Sequence, residues 1–309
     1  MRVLFWGTPE FAAAPLRALI GEGFEVVGVV TQPDKPQGRS RKATPPPVKR
    51  IAVEENIACF QPARPRDPEF VEMLDVVKPD ISIVVAYGHI LPKSVIDLPK
   101  LGTLNIHASL LPALRGAAPI QAALRRGFRE TGVSIMRMVP ALDAGPVILV
   151  ASTPILDDET YGELQLRLSE LGALTLVEAL ALISIGEATE KAQDEARATF
   201  APKVTREDAR IDWTLPALEV ARAIRAYDPK PGAFTTLRRA DVKLFGARIS
   251  SAPPVAAAGE VVAAASEVIV ACGTGAVTIF DVQPAGKSRM SAAAWARGRG
   301  IALGDILGS

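Results

Sequence analysis

Short apolar runs alternate with stretches of helical spacing through the first part of the chain. Residues 2–6 are strand-like and apolar from Val3 onward, and Gly7-Thr8-Pro9-Glu10 turns them into a helix. Thr8 suits the N-cap and Pro9 the first helical position. Phe11, Leu16 and Ile20 carry that helix to Gly21, and residues 25–31 form the next strand. A βαβ opening predicts a doubly wound, mostly parallel α/β sheet of Rossmann-like type. The pattern continues with helices over 48–55, 68–77 and 117–126 and strands over 58–61, 101–106, 133–139 and 147–152. The fully apolar run 81–86 belongs at the centre of the sheet. Thr160-Tyr161-Gly162-Glu163 is a capping box, and Leu164, Leu168 and Leu171 form a stripe on a helix running to about Ile185.

The period then changes. Residues 187–206 are polar with little periodicity, as an interdomain linker would be. A helix over 214–227 ends at Asp228-Pro229-Lys230-Pro231-Gly232. Short strands follow at 233–237, 242–245, 259–263, 267–272 and 276–282, with Gly273-Thr274-Gly275 as a hairpin turn. Five short strands in a small domain predict an OB-like β-barrel. The expected organisation is a first domain over 1–188, a linker over 189–206 and a barrel domain over 207–309.

Gln32 to Pro47 interrupts the βαβ pattern. Prolines, Gly38 and charge exclude helix or strand there. Loops this long inside a βαβ unit are usually functional or disordered. Against one acid, Asp34, it carries Lys35, Arg39, Arg41 and Lys42, then Lys49 and Arg50. The net charge of +1 by itself says nothing for nucleic acid, but local patches matter more than totals. The composition, 49% hydrophobic with 5% aromatic residues, supplies a sizeable core packed mainly by Ala, Leu and Val. The longest apolar region, 164–185, carries Arg167, Glu170 and Glu178, which excludes a membrane span. The strand-like start predicts no secretory or transit segment. Two separated cysteines and two histidines point away from a structural zinc site. A cytoplasmic, monomeric protein without membrane or metal is expected.

Candidate chemistry concentrates at Asn105-Ile106-His107-Ala108-Ser109-Leu110-Leu111-Pro112. Alternate residues of a strand share a face, so Asn105 and His107 point the same way. Pro112 and Gly116 leave a loop at the strand's carboxyl end, where open α/β sheets bind ligands. A lone His beside an Asn is more often structural. Here it stands at a strand tip, and a second polar turn, Leu142-Asp143-Ala144-Gly145-Pro146, offers a carboxylate. His89, with no acid nearby in sequence, reads as structural or surface. Gly7 lacks the spaced glycines of a dinucleotide fingerprint, which removes the main support for a nicotinamide dehydrogenase.

Asn-x-His-x-Ser-Leu-Leu-Pro with a later Asp-x-Gly-Pro resembles the signature of the 10-formyltetrahydrofolate-dependent formyltransferases. Gly7-Thr8-Pro9-Glu10-Phe11, Gly38-Arg39, Ala201-Pro202-Lys203, Arg210-Ile211-Asp212-Trp213 and Pro284-Ala285-Gly286-Lys287 extend the likeness along nearly the whole chain. They narrow it to the branch of that family acting on methionyl initiator tRNA. One departure is Asp228-Pro229-Lys230-Pro231 where the family often has Asn-Pro-Trp-Pro.

The resemblance implies a formyltransferase fold, 10-formyltetrahydrofolate as co-substrate and initiator methionyl-tRNA as partner. It makes Asn105 the donor to the formyl oxygen and His107 the proton relay. Asp143 orients His107, directly or through water. It assigns folate contacts to Ser109, Leu110, Leu111 and Pro112, and tRNA contacts to Arg39, Arg41 and Lys42. The rivals are a 10-formyltetrahydrofolate hydrolase, a formyltransferase for another amine, and a noncatalytic RNA-binding protein. Formate release without an acceptor would favour the hydrolase, and an intact Asn105, His107 and Asp143 argue against a noncatalytic role.

Overall fold

The structure is a computed structural model that describes residues 1–36, 43–250 and 256–308. The chain forms two compact units. The first gathers Met1–Gly116, Thr131–Thr153 and Gln165–Phe200, and the second Ala117–Glu130, Pro154–Leu164 and Ala201–Ser309.

In chain order come β1 (Arg2–Gly7), α1 (Ala13–Gly21), β2 (Glu25–Val30), β3 (Lys35–Pro36) and β4 (Ala43–Thr44). Next are α2 (Pro47–Glu54), β5 (Cys59–Phe60), α3 (Pro68–Val77), β6 (Ile81–Val85), α4 (Lys93–Ile96) and β7 (Thr103–His107). After α5 (Pro119–Arg125), which lies in the second unit, follow β8 (Glu130–Arg137), β9 (Val147–Pro154) and α6 (Tyr161–Ser184). The sheet order of the first unit is β5-β2-β1-β6-β7-β8-β9. From β5 to β7 neighbouring strands are parallel, and β8 runs antiparallel to β7. β6 is buried along its whole length, as its unbroken apolar run requires. Trp6 lies edge-on to Phe70 and Tyr87 at ring distances of 5.8 and 5.2 Å and anchors the core at the carboxyl ends of β1 and β6. α3 stops where Lys78 turns left-handed (φ 48°) and Pro79 follows.

Three local expectations are corrected. Thr8 does not cap a helix. Its hydroxyl donates to the Tyr87 carbonyl at 2.9 Å and accepts from the Gln32 N–H at 3.3 Å, so it ties the tips of β1, β2 and β6 together. Pro9 stays extended, and a 3₁₀ turn over Glu10–Ala12 leads into α1. The proline-rich insertion is not free of strand, because β3 and β4 pair as Lys35↔Thr44 and Pro36↔Ala43. Below them Lys49 bonds Asp34 at 2.8 Å and Gln61 at 2.8 Å, and this ion pair holds the Asp34 carboxyl below its usual range. Finally, the strand expected over 101–106 begins at Thr103, after Gly102 takes a φ of 73°.

The second unit contains α7 (Ala217–Ala226) and the strands β10 (Ala233–Leu237), β11 (Ala240–Ile249), β12 (Val261–Ala264), β13 (Val268–Ala271) and β14 (Ala276–Pro284). They form an antiparallel sheet in the order β10-β11-β14-β13-β12. β15 (Met290–Ser291) pairs back onto β14, so the segment after Pro284 continues the sheet rather than leaving it, and α8 (Ala292–Arg297) follows. The end of the chain bridges the two edge strands. The Leu307 N–H bonds Gly259 O before β12, and the Gly308 N–H bonds Thr236 O on β10, each at 2.8 Å. Unpaired edges invite association, and this strap covers both. The capping box forms as expected: the Thr160 N–H donates to the Glu163 carboxylate at 2.9 Å, and the two Thr160 bonds hold the Glu163 carboxyl below its usual range.

Candidate active site

β7 places the chemistry because it sits between β6 and β8 with both faces covered. Val84↔Asn105 and His107↔Ser134 fix its register. Only Asn105 of its residues is less than fully buried. Among the described residues, the Asn105 side-chain amide has no hydrogen-bond partner. An amide held on a rigid strand with its N–H groups uncommitted is a preorganised donor.

His107 is 5% exposed and held from two sides. Its Nε2 lies 2.9 Å from the Leu114 carbonyl oxygen, which only accepts, so Nε2 carries a hydrogen. Leu114 is fully buried with a φ of 60°, and the Thr199 hydroxyl accepts its N–H at 2.9 Å. Nδ1 faces the Asp143 carboxylate, with Oδ2 at 3.7 Å. That separation is longer than a hydrogen bond. The same Oδ2 accepts the Gly116 N–H at 2.7 Å.

Asp143 is itself set in place by backbone contacts. Its φ is 48°, an unusual conformation for a residue with a side chain. The Gln193 amide holds that turn by donating to the carbonyls of Asp143 and Gly145 at 2.8 and 2.7 Å. Gly145 is required for close approach, since a Cβ there would lie 1.8 Å from the Arg137 carbonyl oxygen. Arg115, 3% exposed, donates twice to the Gln193 oxygen and grips Glu195 through both terminal nitrogens. This pairing raises the Arg115 pKa and lowers that of Glu195.

The loop after β7 is fixed from beneath. The Ser134 hydroxyl donates to Ser109 O at 2.8 Å and accepts from Leu111 N at 3.1 Å. The Ser109 hydroxyl turns inward to the Ala113 carbonyl at 2.6 Å, whereas Leu110, Leu111 and Pro112 remain half-buried. At the tip of β6 Tyr87 is buried, its pKa pushed up to about 12 by that burial, and its hydroxyl lacks a partner. Exposed His89 lies 5.6 Å from its ring.

Residues 1–180 match the formyl transferase family, and residues 203–300 match the formyl transferase C-terminal domain. The methionyl-tRNA formyltransferase of Methylococcus capsulatus is 47% identical over 292 residues, covering 94% of this chain and 95% of that one. This chain belongs to the methionyl-tRNA formyltransferase family. Solved structures share the fold at lower identity. The methionyl-tRNA formyltransferase of Clostridium thermocellum matches with a TM-score of 0.56 at 14% identity, over 81% of this chain and 94% of that one. HypX from Aquifex aeolicus, solved with tetrahydrofolic acid, matches with a TM-score of 0.67 at 22% identity over 95% of this chain. This chain spans about half of HypX, 46% of its length.

In this formyltransferase, Asn105, His107, Asp143 and the 109–112 loop all fall in the first unit, at one end of β7. Arg39, Arg41 and Lys42 lie outside the described residues. Among the described residues no group of three or more His, Cys, Asp or Glu could hold a metal ion, and no helix is long and apolar enough to cross a membrane. Sequence reasoning missed Ser134, Arg115 and Gln193. Ser134 has a signal in hindsight, as a hydroxyl between the apolar Val133 and Ile135. Gln193 has none, because it meets Asp143 from fifty residues along the chain.

Proposed function

We propose that this enzyme transfers the formyl group of 10-formyltetrahydrofolate to the α-amine of methionine esterified to initiator tRNA. The carrying observation is the Asn105 amide, unpartnered among the described residues, on the same strand face as His107, which faces Asp143. The bond from the formyl carbon to the folate nitrogen breaks and one to the methionine nitrogen forms. The amine loses a proton and the folate nitrogen gains one. As the amine attacks, the formyl oxygen becomes an oxyanion, and the Asn105 amide donates to it. His107 and Asp143 manage the proton, with the imidazole held by the Leu114 carbonyl and the carboxylate by Gly116.

The folate donor fits the residues present: half-buried Leu110, Leu111 and Pro112 offer an apolar wall, while Ser109 shapes the loop through its inward bond. Residues 1–188 carry the chemistry in this reading, 189–206 link, and 207–309 bind RNA. Arg39, Arg41 and Lys42 neutralise phosphates near the acceptor end, which positions the tRNA without specifying it. The enzyme works in the cytoplasm as a monomer. The test is formyl transfer to purified methionyl initiator tRNA with a no-tRNA control. Formyl-methionyl product only with tRNA is expected. Equal tetrahydrofolate release in the control would make the protein a hydrolase.

A further inference from the structure

The second unit holds a cleft of about 740 Å³ that shares no lining residue with the site at the end of β7. Its walls come from α5, the turn after it, the segment 155–158, α7 and β11. Four of its lining residues are arginines: Arg129, Arg222, Arg225 and Arg248.

Their pairing is incomplete. Arg222 and Arg225, three apart on α7, fall on one helical face, where like charges oppose each other. Among the described residues, the side chains of Arg129 and Arg222 have no hydrogen-bond or ion-pair partner. Arg225 donates one terminal nitrogen to the Asp157 carbonyl, but its Nε is buried without a partner. A buried donor left unpaired costs free energy. Burial lowers the Arg225 pKa, Arg222 lowers it further, and Asp157 and Asp158 oppose them. Arg248 is the one that finds a carboxylate, Asp158 at 2.8 Å. The Arg222 guanidinium lies across Gly127, whose φ is 68° and where a Cβ would come within 2.1 Å of the guanidinium carbon. Beyond the cleft Arg248 stacks 5.5 Å from the ring centre of Phe280, which is 42% exposed.

We propose that this cleft is a phosphate-binding site, with Arg222, Arg225 and Arg129 as its donors. Phosphate is the ligand whose charge and acceptor oxygens answer several guanidinium forks at once. It answers the uncommitted guanidinium donors of Arg129 and Arg222 and offsets the Arg222–Arg225 repulsion. A carboxylate would do so less fully, and two already line the cleft without doing it. The phosphate comes either from a phosphodiester of bound RNA or from a free phosphorylated metabolite. The RNA source rests on the formyl-transfer reading; the site itself does not.

The test uses the full chain, its Arg222→Gln variant and its Asp158→Asn variant, which releases Arg248. Inorganic phosphate is titrated into each and followed by ³¹P NMR. Deacylated initiator tRNA binding is measured across a series of salt concentrations. Phosphate affinity should fall roughly tenfold in R222Q and rise in D158N, a gain that misfolding cannot produce. If RNA supplies the phosphate, R222Q also lowers the salt slope by about one and phosphate competes with tRNA. If a metabolite supplies it, slope and tRNA affinity stay put while the phosphate affinities diverge. No phosphate binding by the wild type, or equal affinity in all three proteins, overturns the proposal. The titration needs neither folate nor methionine, so its failure is separate from failure of formyl transfer.

Discussion

The tip of β7 and the arginine cleft of the second unit handle polar groups in opposite ways. At the tip the buried polar atoms are paired: His107 with Leu114, Ser134 with two backbone groups of one loop, Gln193 with two carbonyls and Arg115. Among these described residues the Asn105 amide is left over, and at the neighbouring tip of β6 the Tyr87 hydroxyl. In the cleft two guanidinium groups and one buried Nε are left over together. Reaction chemistry needs one donor held to a fraction of an ångström, and a satisfied surround supplies that. Polyanion binding needs unspent charge, which tolerates looser geometry. The distribution of unpaired groups therefore separates a place for chemistry from a place for attachment.

The largest break in that contrast comes from removing the leftover donor. Asn105→Ala should lower kcat by roughly two to three orders of magnitude, with tRNA affinity unchanged. Steady-state kinetics and tRNA binding measured side by side check this, and near-normal turnover would remove Asn105 from the mechanism. Gln193→Ala comes next. It releases the left-handed turn at Asp143 while leaving every proposed substrate contact in place, so kcat should fall roughly tenfold with the KM for tRNA steady. Gln193→Glu should not rescue it, because a carboxylate cannot donate to the carbonyls of Asp143 and Gly145. A rise in KM with kcat unchanged would instead put Gln193 on the binding side.

How legible each region was in the sequence follows from the same distinction. The sheet was legible because β1, β2 and β6 declare themselves in consecutive apolar residues, and α3 begins and ends on its prolines. Asn105 and His107 were legible because strand periodicity alone puts them on one face. What escaped depends on distant partners. Thr8 has a good capping sequence, yet a carbonyl at the tip of β6 claims its hydroxyl. Gln193 sits in a stretch whose polarity reads as linker, and only the folded chain brings it to Asp143. The β3–β4 pairing was missed because proline argues against strand locally, whereas a two-residue edge ladder tolerates it.

On the attachment side, neutralising Arg39 and Arg41 together should weaken tRNA binding and flatten its salt dependence by about two units of slope, with kcat at saturating tRNA little changed. Binding isotherms across a salt series measure this. An unchanged slope would make the insertion a spacer and leave the cleft arginines to carry the phosphate contacts of the RNA-binding reading.

The smallest effect sharpens the other side. Glu195 grips Arg115 but is itself largely exposed, with 71% of its side chain accessible against 3% for Arg115. The hydrogen bond from Arg115 is the main cause of its lowered pKa. A carboxyl depressed in the folded state adds stability above its unfolded pKa, about 4.3, and loses that contribution as the pH falls through the folded value. Wild type should therefore melt slightly above Glu195→Gln near neutral pH, with the gap closing on the acid side of the ordinary glutamate range. Thermal melts of both proteins across that range measure it. If the gap persists in acid, the Arg115–Glu195 contact works through packing rather than charge, and Arg115 is held for Gln193 by its burial alone.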